Sequence, residues 1–291
     1  MEFLRPATWA EALAAKAGTP DAVPIQGGTD VMVEINFDVR RPVALLDLNQ
    51  VAELRGWEPL PDGRLRVGAG VPYARVIAEL GEELPGLAQA SRTVGSPQIR
   101  NRGSVGGNLG AASPAGDSHP PLLAGDAVIE VESAARGIRL IPATEFYLGV
   151  KRSALAPDEL IRAFWMSPAT GPQYFSKVGT RNAMVIAVCS FAIALHPGEH
   201  RVGTGIGSAA PTPRRAPAAE EWLAGELDWG GTAALAPALV KRFGELAAEA
   251  ASPIDDVRGT AAYRRHAIAV MARRTLTWAW NDYRERVAPC A

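Results

Sequence analysis

Cysteine is almost absent from this sequence, and its scarcity excludes two kinds of protein. The only two cysteines are Cys189, inside an apolar run, and Cys290, next to the last residue. Two thiols cannot build a disulfide framework, and an all-cysteine zinc site or an iron–sulfur cluster needs about four thiolates. We therefore expect this chain by itself to hold neither.

An excess of charge and a long apolar run are also lacking. The 30 basic residues, 26 of them arginine and four lysine, nearly balance 31 acidic ones, which leaves a formal charge of −1. Proteins that bind nucleic acid through phosphates normally carry a basic excess, and a hydrophobic content of 47% argues against acidic disorder. The sequence shows no charged leader and no uncharged apolar run of about 18 residues. We expect a soluble, cytoplasmic protein of about two domains.

The first half of the chain has the pattern of short alternating strands and helices. A capping-box pair, Thr8 and Glu11, predicts a helix that ends at Gly18. Hydrophobic patterns predict strands at Ala22–Gln26, Val43–Leu48, Arg64–Ala69, Asp126–Glu132 and Leu160–Met166, and a helix at Pro72–Leu80. Residues 93–121 are crowded with glycine, serine, asparagine and proline, so we expect a long irregular segment that serves a function.

The second half has a different pattern, which begins after a candidate linker. Residues 167–173 contain two prolines and a glycine, and they divide the chain into predicted domains 1–170 and 171–291. Three strand-like runs joined by short turns predict an antiparallel sheet: Tyr174–Arg181, Val185–Leu195 and Arg201–Ala209. Three helices are expected after it: Ala216–Ala224, Thr232–Ala251 and Thr260–Arg284.

Two glycine clusters are the strongest candidates for a binding site. Gly27 and Gly28 follow a predicted strand, where successive backbone N–H groups can face a phosphate, although taken alone they are better explained as an ordinary glycine turn. The second cluster, within residues 95–110, contains five glycines with Ser104 and Asn108 among them. Amides and short hydroxyls from two such loops could surround a pyrophosphate.

Two charged residues have both a functional and an ordinary explanation. Asp117 follows the second glycine cluster and could bind ribose hydroxyls, or it could cap a turn. Lys177, one of four lysines, lies in an apolar-flanked strand, where it could stabilise negative charge on a reduced cofactor ring or lie on a solvent-facing edge. The residues alone leave both alternatives open.

Other catalytic patterns are missing. No P-loop motif occurs, and the run VGTGIGS at Val202–Ser208 is not a Rossmann fingerprint, because Ser208 replaces the third glycine and Pro211 and Pro213 follow where a helix should begin. The four histidines are scattered, and no catalytic triad emerges from the sequence. Hydrolytic chemistry therefore has no visible residues.

Several motifs together resemble the FAD-binding subunits of molybdenum-containing hydroxylases, the family of bacterial xanthine dehydrogenases and aerobic carbon monoxide dehydrogenases. In the first half they are QGGTD at Gln26–Asp30, QIRNRGSVGGN at Gln98–Asn108 and SPAGDSHPPLLAGDA at Ser113–Ala127. In the second half they are YFSKVGTRNAMVIA at Tyr174–Ala187 and AAPTPRR at Ala209–Arg215. The order is collinear over essentially the whole chain.

The resemblance implies an α+β fold: a two-subdomain FAD-binding domain of the vanillyl-alcohol-oxidase/PCMH type, followed by a three-stranded antiparallel sheet with a helical bundle. It also implies which residues bind FAD, without a covalent link. The first loop would contribute Pro24, Ile25, Gln26, Gly27, Gly28, Thr29, Asp30 and Val31 around the pyrophosphate. The second would contribute Ser104, Gly107 and Asn108, with Val94 near the flavin, Asp117 on the ribose of the adenosine, Ile161 packed against the cofactor and Lys177 close to it.

Three positions depart from the family pattern. Gln26 stands where alanine is common, Ser104 where threonine is common, and Ser96-Pro97 where a glycine is often found. Serine keeps the hydroxyl of threonine, so that exchange is mild. Gln26 and Pro97 are expected to alter loop shape and cofactor affinity.

The resemblance implies an electron-transfer flavoprotein with no catalytic residues of its own for substrate. A large partner subunit would hold molybdopterin, a small one two [2Fe-2S] clusters, and FAD would pass electrons to NAD or oxygen. The substrate could be a purine, an aldehyde, carbon monoxide or an N-heterocycle, with a preference for a xanthine-dehydrogenase-like system. Two alternatives stay open: a self-sufficient FAD oxidase of the vanillyl-alcohol-oxidase type, and a non-catalytic nucleotide-binding module.

Overall fold

A small parallel sheet opens the fold. The computed structural model describes residues 1–287, so Cys290 lies outside the described part of the chain. The sheet has the strand order β1-β3-β2. Its elements are β1 (Glu2–Leu4), α1 (Trp9–Gly18), β2 (Val23–Ile25), α2 (Val31–Asn36) and β3 (Ala44–Asp47). The predicted capping box is confirmed, since the Thr8 side chain accepts a hydrogen bond from the Glu11 N–H and the Glu11 carboxylate accepts one from the Ala7 N–H.

A five-stranded antiparallel sheet follows, with the order β4-β5-β10-β6-β7. Its strands are β4 (Trp57–Pro59), β5 (Leu65–Gly68), β6 (Val128–Ser133), β7 (Gly137–Pro142) and β10 (Leu160–Met166), and β8 (Tyr147–Gly149) and β9 (Arg152–Ser153) form a separate pair. One face buries Val67, Ile129 and Phe164 in the core. The central strand β10 has a bulge between Ile161 and Ala163, which interrupts its regular pairing with β6.

The expectation of an irregular segment at residues 93–121 is wrong. This half contains the helices α3 (Tyr73–Glu79), α4 (Pro85–Thr93), α5 (Pro97–Arg102), α6 (Val105–Ala111), α7 (His119–Ala124) and α8 (Ala143–Phe146). Ser96 and Ser104 are N-caps whose side chains accept hydrogen bonds from the next turn. The helices α5, α6 and α7 are only six or seven residues long, so they are too short to show a hydrophobic period.

The second half is a three-stranded antiparallel sheet covered by helices, as predicted. The sheet has the order β11-β12-β13, with β11 (Gln173–Val178), β12 (Cys189–His196) and β13 (Arg201–Gly207), and the helices are α9 (Pro217–Glu226), α10 (Pro237–Glu249) and α11 (Ala261–Val287). Two of these elements start several residues later than predicted. β12 begins at Cys189 rather than Val185, and α10 begins at Pro237 rather than Thr232, because proline favours the first turn of a helix.

The glycine run in β13 has a packing function. A Cβ at Gly203 or Gly205 would overlap the carbonyl oxygens of Ala124 and Pro120 in α7. The strand and the helix backbone are therefore in direct contact, which joins the first half of the chain to the second. This packing agrees with the interpretation that Val202–Ser208 is not a Rossmann fingerprint. Within residues 1–287, no helix has both the length and the hydropathy to cross a bilayer.

Candidate cofactor site

A cavity of about 540 Å³ brings most of the candidate site residues together. It is lined by the end of β2 and the loop after it, by the start and end of α6, by residues 113–117, and by Val185 and Ile186 from the second half. Its volume is in the range of small-molecule and cofactor sites. Fourteen of the fifteen predicted FAD contacts line this cavity. The fifteenth, Lys177, does not line it but binds Asp117, which does.

The two glycines of the first loop are required for different reasons. A Cβ at Gly27 would overlap the backbone carbonyl of Arg102, so this loop touches the second glycine segment directly. Gly28 has φ +71°, in the left-handed region that favours glycine. The N–H groups of Gly28, Thr29 and Asp30 have no hydrogen-bond partner within residues 1–287. This loop can therefore offer successive free amides to an anion.

The second loop is the N-terminal turn of α6. The Ser104 hydroxyl accepts a hydrogen bond from the Gly107 N–H at 3.0 Å, so the serine works as the cap that threonine would provide. A Cβ at Gly106 would overlap the backbone of Ala69, the residue directly after β5. The Asn108 side-chain oxygen accepts a hydrogen bond from the Ser118 hydroxyl. These contacts fix the turn against the sheet and against the next loop.

Asp117 and Lys177 form a buried ion pair. The Lys177 Nζ lies 2.5 Å from the Asp117 Oδ2, and the two side chains are only 8% and 6% exposed. The Thr93 hydroxyl donates to the same oxygen at 3.0 Å. Burial raises the pKa of Asp117, and the Lys177 charge opposes this shift. The alternative that Lys177 lies on a solvent-facing edge is therefore wrong.

Two cavity residues have buried oxygen atoms with no partner among the described residues. The Gln26 Nε2 donates to the Gly70 carbonyl at 3.2 Å, while its Oε1 has no hydrogen bond. The Asp117 Oδ1 is likewise buried and unpartnered. Buried polar atoms normally have partners, so both positions suit a ligand rich in hydroxyl and N–H groups. The free amides and these two acceptors together fit a dinucleotide such as FAD.

Sequence reasoning missed a second ion pair at the cavity. The Lys151 Nζ lies 2.5 Å from the Glu34 Oε1, and Arg40 lies 3.5 Å from the other oxygen. All three residues line the cavity, as does the buried Tyr73. Glu34 belongs to α2 and Lys151 to the β8–β9 turn. No local pattern could connect two residues so far apart in the chain.

The fold and the cavity define an α+β protein that binds a dinucleotide-sized cofactor, and comparison with known proteins gives its family. Residues 1–166 match the FAD binding domain in molybdopterin dehydrogenase, and residues 174–279 match the CO dehydrogenase flavoprotein C-terminal domain. The chain therefore belongs to the FAD-binding subunits of the molybdenum hydroxylases, as its motifs predicted.

Individual relatives are similar to this chain over nearly their full length. The xanthine dehydrogenase FAD-binding subunit of Escherichia coli O157:H7 is 31% identical over 289 residues, with 94% of each chain covered. The nicotine 6-hydroxylase medium subunit of Paenarthrobacter nicotinovorans is 28% identical over 281 residues, with 95% of this chain and 96% of that one covered. In carbon monoxide dehydrogenase from Hydrogenophaga pseudoflava, the matching chain superposes with a TM-score of 0.87 at 27% identity, covering 96% of this chain and 97% of that one.

These findings confirm the family, the fold class and FAD as the cofactor. The chain is a flavoprotein subunit of an oxidoreductase of the xanthine and carbon monoxide dehydrogenase type. Its relatives are medium subunits of enzymes with several subunits.

Proposed function

We propose that this chain transfers electrons within a three-subunit molybdenum hydroxylase. Substrate is oxidised at molybdopterin on a large partner subunit, and electrons pass through the two [2Fe-2S] clusters of a small one to FAD on this chain. NAD or oxygen is the final acceptor. The observation that carries the proposal is the meeting, in one cavity, of the two glycine loops and the buried Asp117–Lys177 pair.

Bound FAD would supply two-electron redox chemistry, and the residues of this chain would bind and orient it. We assign the pyrophosphate to the free amides of Gly28, Thr29 and Asp30 and to the Ser104-capped turn of α6. Ile161, at the bulge of β10, and Val94 supply apolar surface to the cavity. Lys177 would neutralise the Asp117 carboxylate from behind, so that Asp117 can face the cofactor without adding a net negative charge to the cavity.

For Asp117 we propose a role different from the one that the resemblance implies. Thr93 donates to Asp117 and is adjacent to Val94, so the residue expected near the flavin lies close to the residue expected at the ribose of the adenosine. In an extended FAD the pyrophosphate separates these two parts. We therefore propose that Asp117 binds a ribityl hydroxyl, on the flavin side, through its unpartnered Oδ1.

We also propose a domain boundary near residue 170. The five-stranded sheet ends with β10 at Met166, and the antiparallel sheet begins with β11 at Gln173. The residues between them include the proline-rich linker of the sequence. Domains 1–170 and 171–291 would then meet at the cavity, through Asp117 from the first and Lys177 from the second.

Purification of the native complex tests the function. Its visible spectrum, its metal and flavin content and its co-purifying chains would be determined together. We expect one FAD per copy of this chain, a large partner with molybdopterin and a small partner with two [2Fe-2S] clusters. A yellow homomeric protein that oxidises an alcohol unaided would contradict the proposal, and so would a chain that contains no flavin.

A further inference from the structure

His119 is a buried histidine that the proposed FAD contacts do not use. It begins α7 and is completely inaccessible to solvent. Its Nδ1 lies 2.9 Å from the Tyr147 hydroxyl, and the two rings meet edge to face with centroids 4.7 Å apart. Burial lowers the pKa of His119 to about 3, so the imidazole is neutral at physiological pH.

The other ring nitrogen faces the wall of the cavity. A Cβ at Gly116 would overlap the His119 Nε2 and would come within 2.6 Å of both polar atoms of the Asn108 amide. Gly116 and Asn108 both line the cavity, whereas His119 lies behind them. The Nε2 itself is buried and makes no close hydrogen bond within residues 1–287. The imidazole thus packs directly behind Gly116 and lies near the Asn108 amide, and both of these residues face the cavity.

We propose that His119 is a positioning residue for the cofactor: from behind the cavity wall, and oriented by Tyr147, it fixes the Gly116 backbone and the Asn108 amide. This inference rests on the proposed FAD site. The Asn108 amide is held on its other side by the Ser118 hydroxyl, which lies 3.5 Å from the Tyr73 hydroxyl. Ser118 and His119, which follow Asp117 in the chain, therefore each lie next to a buried tyrosine.

Because the imidazole is neutral, one ring nitrogen accepts a hydrogen bond and the other carries the hydrogen. A neutral ring carries one N–H, so a Tyr147 hydroxyl that donates to Nδ1 leaves the hydrogen on Nε2. The Nε2 that carries it lies beside Gly116 and near the Asn108 amide, and the Ser113 backbone is also close to the ring. If the cavity wall is already ordered in the free protein, FAD binding costs less conformational entropy. Removing His119 is therefore expected to lower chiefly the affinity for FAD.

Four variants of the full chain separate positioning from simple stability. His119→Leu removes both nitrogens, His119→Gln keeps an amide N–H near the position of Nε2, and His119→Asn keeps one near Nδ1. His196→Leu is the matched control, because His196 is also buried and contacts α7 through the Ala124 carbonyl, at the helix end farthest from His119 in sequence. For each, the FAD dissociation constant would be measured by flavin fluorescence on flavin-depleted protein, and the melting temperature would be measured without flavin.

We expect His119→Leu and His119→Asn to weaken FAD binding about tenfold, because neither places an N–H beside Gly116 and the Asn108 amide, while His119→Gln stays within about twofold of wild type. His196→Leu should lower the melting temperature without changing affinity. If His119→Leu lowers the melting temperature but binds FAD as tightly as wild type, His119 only stabilises the fold, and this inference alone is overturned. If wild type itself binds no FAD, the proposed function fails with it.

Discussion

Two ion pairs at the cavity have the same separation and different surroundings. In each, the lysine nitrogen lies 2.5 Å from a carboxylate oxygen. Asp117 and Lys177 are buried, at 6% and 8% exposure, whereas Glu34 and Lys151 are 18% and 51% exposed. Exposed pairs contribute about 0–1 kcal/mol, but removing one partner of a buried pair costs about 3–5 kcal/mol. Burial, and not distance, therefore decides how much each pair matters.

Lys177→Met is expected to have the largest effect, because it leaves Asp117 buried without its cation. We expect the free energy of unfolding in urea to fall by about 3–5 kcal/mol and the FAD content to fall with it. The double variant Lys177→Met, Asp117→Asn removes both charges and should recover part of the stability. If the single and double variants were equally stable, the unpaired Asp117 charge would not be the cause of the loss, and the effect assigned to burial would be contradicted.

Gly27→Ala tests the close packing of the cavity wall and should rank second. The added Cβ would overlap the Arg102 carbonyl, so the first glycine loop must move away from the second. Such overpacking costs about 1–3 kcal/mol, and we expect most purified chains to lack FAD. Gly225→Ala is the control, because a Cβ there meets no atom within 4 Å and glycine is unfavourable inside α9. Equal flavin content in the two variants would show that the close contact between Gly27 and the Arg102 carbonyl is not needed for FAD binding.

The sequence predicted most of the fold, and its failures have a common cause. Long elements such as α11 and β10 contain enough residues to show a period, so they were found. The helices of residues 97–124 were missed, since each spans about two turns or less and depends on capping and on contacts from distant strands. Ser96 and Ser104 were visible as possible caps, but no hydrophobic period followed either.

The effect of pH on stability should have opposite signs at the two carboxylates. A hydrogen bond from Lys151 lowers the pKa of Glu34 below its ordinary value of 4.5, so its contribution is present above that pH and is lost as the pH falls through the folded-state pKa. Burial raises the pKa of Asp117 above 3.8, so stability decreases as the pH rises from there through the raised value.

Urea unfolding of the flavin-free chain between about pH 3.5 and 7 measures this difference. A tenfold change in the proton affinity of a carboxylate between the unfolded and the folded chain corresponds to about 1.4 kcal/mol, and solvent screening reduces this amount at an exposed pair. Relative to Glu34→Gln, wild type should gain stability as the pH rises and level off above about pH 5. Relative to Asp117→Asn, it should lose stability over the same range. If the stability difference from wild type changed with pH in the same direction for Glu34→Gln and Asp117→Asn, the opposite effects expected from their different burial would be contradicted.

Sequence analysis predicted the parts of the candidate site that lie in short motifs. It did not predict the contacts between segments that are far apart in the chain. The glycines and Asn108 belong to two short motifs, and the structure places both at one cavity. Lys177 was noticed because lysine is rare here, yet its partner could not be read from the sequence. Glu34 and Lys151 meet only because α2 lies next to the β8–β9 turn, and the sequence contains no signal of that contact.

Lys151→Met should have the smallest effect, and the reason is its exposure. The pair joins α2 to the β8–β9 turn beside the cavity, so its loss should speed FAD release by about two- to fivefold, which corresponds to less than about 1 kcal/mol. Added salt screens exposed pairs, so about 0.5 M NaCl should speed FAD release from wild type and leave the variant almost unchanged. Lys241→Met is the control, since Lys241 forms an exposed pair with Glu245 in α10, and neither residue lines the cavity. An effect as large as that of Lys177→Met would mean that the exposed pair, despite its contact with water, does as much to retain the cofactor as the buried one.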